Sequence, residues 1–128
     1  MKRLLFLEEL ALLALALVAM QQQSIQLPLW LWPIAFLSPD LGMLGYLLSP
    51  RVGAWTYNLF HHKGIAAIAI VCGWFLNLPV ILLTGILLLA HSSFDRVFGY
   101  GLKFEEGFAH THLGKLDKKS KEVLSAAP

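Results

Sequence analysis

The sequence predicts an all-α, polytopic membrane protein with four transmembrane helices and both termini in the cytoplasm. Composition is the first reason, because 57% of the 128 residues are hydrophobic and 14% are charged, whereas a soluble domain carries about a quarter charged residues. Length is the second, because a span needs about 20 mainly apolar residues and the chain has room for four. Lipid tolerates no unpaired backbone and a short chain cannot close a barrel, so the spans should be helices.

The chain is predicted to be a single domain, residues 1–128. Four apolar segments are separated by short polar turns and followed by a polar tail over residues 99–128. The predicted spans cover about residues 4–20, 27–48, 52–76 and 80–98.

The first segment resembles a secretory signal at its start, where Lys2 and Arg3 precede an apolar run. Glu8 and Glu9 lie inside that run, and the hydrophobic region of a signal peptide should be uncharged. We therefore interpret the segment as a membrane span.

The second segment opens with Trp30 and Trp32, whose amphipathic rings are typical of a membrane interface. Pro33 and Pro39 should bend or split it, because proline removes a backbone donor and clashes with the preceding turn. Asp40 follows directly, well inside the segment.

The third segment carries Asn58 and His61 three residues apart, on one face of a helix. His62 and Lys63 follow near its middle, where Lys63 fits a snorkelling side chain, a point of water access or a break before Gly64. The fourth segment ends with His91, Asp95 and Arg96. His91 and Asp95 are four apart and share a face. Ionisable residues inside a span are costly and by default indicate a functional site.

Basic residues predict the orientation. Lys2, Arg3, Arg51 and the lysine-rich tail, which includes Lys103, fall on one side of the predicted bundle. The turns over residues 21–26 and 77–79, on the other side, carry no basic residue. Cytoplasmic loops carry the excess of lysine and arginine, so both termini are predicted to be cytoplasmic.

The polar residues of the predicted spans lie at similar depths in the membrane. At about 1.5 Å per helical residue, five of them lie roughly 5–15 Å from the cytoplasmic boundary. We expect one inward-facing cluster open to the cytoplasm. Imidazole and carboxylate suit zinc or iron, so the candidate metal ligands are Asp40, His61, His91, Asp95 and Glu8.

The sharpest hypothesis for this site is metal-assisted hydrolysis of a lipid ester or phosphoester, or action on another amphipathic ligand. Further residues are predicted to bind that ligand: Tyr57, Asn58, Arg96, Tyr100 and His112. His112 and its neighbour His110 also fit a surface segment that folds back over the cytoplasmic mouth.

Two other functions compete with a hydrolase. Buried polar groups need partners whatever their purpose, so the cluster also fits a non-enzymatic subunit of a membrane complex. A proton-coupled carrier is disfavoured, because the outer half offers no polar path. The expected partners are membrane lipid and a second copy or a membrane-complex subunit. The net charge of +2 does not indicate nucleic acid.

Four motifs resemble one family of small bacterial integral membrane proteins catalogued as a domain of unknown function. The resemblance covers about residues 4–116, and the motifs are SPDLGMLGYL from Ser38, PRVGAWTYNLFHH from Pro50, AHSSFDRVFGYGLKF from Ala90 and THLG from Thr111. The resemblance implies a protein of the bacterial cytoplasmic (inner) membrane. It also implies that the polar cluster in the spans and the THLG motif of the tail belong to one sequence pattern. The family's Leu-Glu-Gly reads Leu7-Glu8-Glu9 here, so Glu9 departs from it.

Overall fold

The computed structural model describes residues 1–116, so the predicted tail from residue 117 onward lies outside the described residues. The described part is mostly helical, which confirms the all-α class. Its elements, in chain order, are helix α1 (Lys2–Gln21), helix α2 (Leu31–Leu37), a 3₁₀ segment (Ser38–Leu47), helices α3 (Pro50–His61), α4 (Lys63–Phe75) and α5 (Pro79–Val97), and strands β1 (His110–Thr111) and β2 (Gly114–Lys115).

Within residues 1–116, two helices are long and apolar enough to cross a membrane, α1 and α5. Helix α4 is apolar but shorter. The second and third predicted segments are each divided into two pieces.

The second segment changes from α-helix to 3₁₀ geometry at Ser38, one residue before Pro39. Proline lacks the N–H that would continue the α-helix, so the predicted split occurs there.

The third segment breaks at His62, whose backbone is extended with φ −84° and ψ 112°. Its ring nitrogen Nδ1 accepts a hydrogen bond of 3.1 Å from the N–H of Gly64 and so caps the start of α4. Ser49 caps α3 in the same way, accepting 3.1 Å from the N–H of Val52. Separate caps make α3 and α4 two helices rather than one.

Helix α5 is the centre of the fold, packing against α1 on one side and α4 on the other, while α3 packs against the 3₁₀ segment. The apolar core joins Ala16 and Met20 of α1 to four residues of α5: Leu83, Ile86, Leu87 and Ala90.

The two ends of the bundle hold different turns. A cavity of about 470 Å³ is lined by Gln23, Ser24 and Asn77, which places the uncharged turns together at one end. At the other end, Glu105 of the tail accepts a hydrogen bond of 2.7 Å from Trp55 Nε1 and pairs with Arg51 at 3.4 Å.

After α5 the chain folds back on itself as a small sheet. The N–H of Phe104 donates to the carbonyl of His110 at 2.9 Å, and the N–H of His112 donates to the carbonyl of Leu102 at 3.0 Å. Strands β1 and β2 continue this antiparallel pairing, with His110 opposite Lys115.

Gly85 allows α4 and α5 to approach closely. A Cβ atom at this position would lie 2.7 Å from the backbone nitrogen of Ile70 and 2.9 Å from the carbonyl oxygen of Ala66. Both neighbours are backbone atoms of α4, so neither can rotate away.

We expect Gly85→Val to destabilise the protein by about 1–3 kcal/mol, the usual cost of overpacking a filled core. The measurement is thermal unfolding in detergent, followed by circular dichroism. Thr84→Val is the matched control, because Thr84 is exposed on the same helix. Equal melting of the two variants would contradict the close contact.

Candidate metal centre

Four of the predicted ligands come together in the structure. Asp40 of the 3₁₀ segment, His61 at the end of α3, and His91 and Asp95 of α5 each offer one ligand atom, and these atoms all lie within 4.8 Å of one another. Three separate elements therefore supply a group that could hold one metal ion.

Most of the distances between the ligand atoms are close to those around a single ion. The Nε2 atoms of His61 and His91 are 3.0 Å apart, and each lies 3.3 Å from Asp40 Oδ1. Asp95 Oδ2 lies 3.3 Å from His61 Nε2, and Asp95 Oδ1 lies 3.8 Å from His91 Nε2. A tetrahedral zinc ion with bonds of about 2.0–2.1 Å requires ligand atoms about 3.3 Å apart.

The backbone determines which nitrogen of each histidine faces the group. His61 Nδ1 lies 2.8 Å from the carbonyl oxygen of Tyr57, and His91 Nδ1 lies 2.7 Å from that of Phe36. A carbonyl only accepts, so both Nδ1 atoms carry the hydrogen. Each neutral ring then presents the lone pair of Nε2 to the group.

Two lone pairs and two carboxylates therefore converge on one point. Such a group needs a cation at its centre, either a proton on one ring or a metal ion. Metal-binding histidines almost always donate their other ring N–H to a carbonyl, carboxylate or water. Both His61 and His91 show that arrangement.

The group is buried on its histidine side and open on one carboxylate side. His61 and His91 are 2% and 1% exposed, whereas the side chain of Asp40 is 39% exposed and that of Asp95 is 16% exposed. Asp40 is therefore the most exposed member of the group.

Tyr57 and Arg96, which the sequence offers as ligand-binding residues, lie beside the group. The Tyr57 hydroxyl donates to Asp95 Oδ2 at 2.7 Å, and its ring stacks on that of His61 with centroids 3.7 Å apart. Arg96 donates to the carbonyl of His61 at 3.4 Å. Both residues orient ligands of the group.

Asn58 holds the tail instead of facing the group. Its Nδ2 donates to the carbonyl of Lys103 at 2.7 Å, and its Oδ1 accepts from the N–H of Lys103 at 2.6 Å. The side chain thus acts as a backbone partner for the turn after α5.

Replacing Asn58 by alanine would leave both backbone groups of Lys103 without this partner. We expect hydrogen exchange over residues 101–104 to accelerate by at least about tenfold, since an unpaired buried group costs about 1–3 kcal/mol. Asn58→Asp, which keeps an acceptor and loses the donor, should give a smaller effect. Unchanged exchange in Asn58→Ala would contradict this role.

Tyr100 and His112, also predicted as ligand-binding, lie on the tail outside the Asp/His group. His112 Nδ1 accepts a hydrogen bond of 2.8 Å from the N–H of Leu102, so it holds the folded-back segment together. The partly exposed Tyr100 has its ring 5.6 Å from Lys103 Nζ.

The structure does not bring Glu8 into the group, which corrects its inclusion among the predicted ligands. Glu8 is exposed on α1, while its neighbour Glu9 is partly buried and pairs with Lys63 at the start of α4. Successive residues of a helix point about 100° apart, and depth alone does not distinguish them.

Sequence reasoning missed Lys103, which it treated as one of several tail lysines. The residue is 3% exposed, and its ammonium lies 3.9 Å from the ring centroid of Phe108 and 5.1 Å from that of Tyr57. Burial lowers the pKa of Lys103 below its usual value, while the charges of Asp95 and Asp40 oppose that change. Neither periodicity nor composition marks this residue.

The fold and the site define a small helical protein built around a buried group of two histidines and two aspartates. The chain belongs to the family described as Domain of unknown function (DUF4260), whose model matches residues 2–116. No curated protein and no solved structure matches the chain.

Proposed function

We propose that this chain is a membrane protein that binds zinc or iron at Asp40, His61, His91 and Asp95 and uses the site on a lipid or another amphipathic ligand. One observation carries the proposal. Both histidines donate Nδ1–H to backbone carbonyls, so both Nε2 lone pairs converge with two carboxylates on one point.

Four crossings of a bacterial cytoplasmic membrane, with both termini inside the cell, complete the proposal. Helices α1 and α5 would cross alone, and the other two crossings would each consist of two pieces. Broken helices are tolerated at membrane depth where they are buried in protein or line a cavity. Here the 3₁₀ segment carries Asp40, and α3 ends at His61.

An apolar groove supports an amphipathic ligand. It has a volume of about 660 Å³ and lies between α1 and α2, with Leu17, Met20 and Trp32 among its walls. Phe36 also lines it, and the Phe36 ring lies 5.3 Å from the ring of His91. An acyl chain in this groove would approach the metal centre from its apolar side.

Metal-assisted hydrolysis is the sharpest form of the proposal. A bound divalent metal supplies Lewis acidity toward an ester or phosphoester oxygen. Asp40 has the most exposed side chain of the group, at 39%, so water would approach the metal from this side. Tyr57 and Arg96 maintain the positions of Asp95 and His61 while the ligand binds.

The second candidate is an accessory subunit of a membrane complex, in which the buried charges only stabilise helix packing. The ion pair between Glu9 and Lys63 favours it, since that pair joins α1 to α4 outside the Asp/His group. A proton on one histidine would then take the place of the metal.

Metal analysis separates the two candidates. Protein is purified in mild detergent without chelator and without a metal-affinity tag. The metal proposal predicts about one zinc or iron per chain and a lower melting temperature after chelation. Metal-free protein whose stability does not respond to added zinc or iron would favour the subunit instead.

A further inference from the structure

The ammonium of Lys103 is buried. Among residues 1–116, no acceptor lies within hydrogen-bonding distance of Nζ. Three aromatic rings surround it instead, with centroids 3.9 Å (Phe108), 5.1 Å (Tyr57) and 5.6 Å (Tyr100) away. Cation–π contact offsets part of the cost of burying a charge, but the N–H donors still need an acceptor.

Contacts with α3 fix the position of Lys103. Asn58 binds both backbone groups of Lys103, and the same helix presents Tyr57 to Asp95 and His61. Tyr57 therefore contacts the Lys103 ammonium and the Asp/His group at once.

The charges near Lys103 indicate the charge of the partner that its ammonium lacks. The two carboxylates of the group carry two negative charges, and a divalent metal would neutralise both. Lys103 would then be a buried cation with no counter-charge among the described residues around it. An anion with a single negative charge would neutralise it.

We propose that Lys103 binds a phosphate-type oxyanion, such as the phosphodiester of a phospholipid, at the edge of the metal centre. This proposal rests on the proposed function, because the charge count includes the metal. Charge-assisted hydrogen bonds to phosphate oxygens are short and strong, and Lys103 provides three donors.

A groove lined in part by Arg96 is where such an anion would first meet a cation near the centre. Its volume is about 610 Å³, and its walls include Lys2, Arg96 and His112 together with Glu9, which is paired with Lys63. Arg96 also bonds the carbonyl of His61, so a second cation lies between the groove and the metal centre.

Isothermal titration of the metal-loaded protein in a neutral detergent tests the proposal. One arm uses inorganic phosphate, and the other uses dihexanoyl phosphatidylglycerol below its micelle concentration. We expect Lys103→Met to weaken anion binding by at least about tenfold. Lys115→Met, on the same tail and exposed, should bind as the wild type does.

The arms also identify the source of the anion. Lys103-dependent binding of phosphate alone supports a free phosphate ligand, and Lys103-dependent binding of the lipid supports a head group. Equal anion affinity in Lys103→Met and wild type, with metal retained in both, would overturn the proposal. Loss of metal from the wild type would instead contradict the proposed function.

A measurement on the wild type covers the case in which Lys103→Met fails to fold. Hydrogen exchange over residues 101–104 is followed by mass spectrometry with and without inorganic phosphate or the short lipid. We expect either bound anion to slow this exchange by at least about fivefold, since a ligand stabilises the folded segment that binds it, with exchange at Lys115 unaffected. Equal exchange over residues 101–104 in all conditions would overturn the proposal.

Discussion

His91→Ala and His61→Ala are each expected to abolish stoichiometric metal binding. Each substitution removes one of two imidazoles whose Nε2 atoms lie 3.0 Å apart, leaving a single nitrogen and two carboxylates for the ion. Zinc and iron sites of this type rely on imidazole ligands. The measurement is metal content per chain after size-exclusion chromatography in detergent.

Two further variants provide an intermediate case and a control for the loss of metal binding. Tyr57→Phe keeps the ring stacked on His61 but loses the hydrogen bond to Asp95, so metal affinity should fall about 10–100-fold. His110→Ala changes a histidine of the tail strand β1 and should retain wild-type metal content. Full metal content in His61→Ala and His91→Ala would contradict the assignment of these ligands.

Lys63→Met is expected to give the largest loss of stability. Lys63 and Glu9 have side chains only 23% and 13% exposed, and they join α4 to α1. Removing one partner leaves the other charge buried and unpaired, which costs about 3–5 kcal/mol. The free energy of unfolding in mixed micelles, followed by circular dichroism, measures this loss.

Removing both charges of the Glu9–Lys63 pair should recover part of the stability that Lys63→Met loses. In the double variant Glu9→Gln/Lys63→Met no unpaired charge remains, so it should be more stable than Lys63→Met alone. Arg51→Met is the exposed control, because the Arg51–Glu105 pair is worth about 0–1 kcal/mol. A Lys63→Met variant as stable as Arg51→Met would contradict the buried pair.

The convergence of Asp40, His61, His91 and Asp95 could be predicted from the sequence. The depth of each residue follows from the number of residues between it and the end of its helix, when successive helices alternate in direction. The same count could not separate Glu8 from Glu9, since rotation about the helix axis is a tertiary property. Both glutamates have almost the same depth, and the partner Lys63 decides which one turns inward.

The burial of Lys103 depends on interactions distant in sequence. The break at His62 does not, because it falls in the polar run of His61, His62 and Lys63, and its cap is the local hydrogen bond from Gly64 to His62. Lys103 is enclosed by Tyr57, Tyr100 and Phe108, which come together only when the tail folds back onto α3. The sequence allows a fold-back of the tail but does not indicate which of its lysines becomes buried.

X-ray absorption at the zinc or iron edge of the purified wild-type protein tests the central claim most directly. For zinc, the account predicts a stoichiometric ion with about four nitrogen and oxygen ligands at about 2.0–2.2 Å, including the outer-ring scattering of two imidazoles. An ion without imidazole scattering, or one with sulfur ligands, would contradict the assignment of His61 and His91. So would metal-free protein that binds neither zinc nor iron on addition.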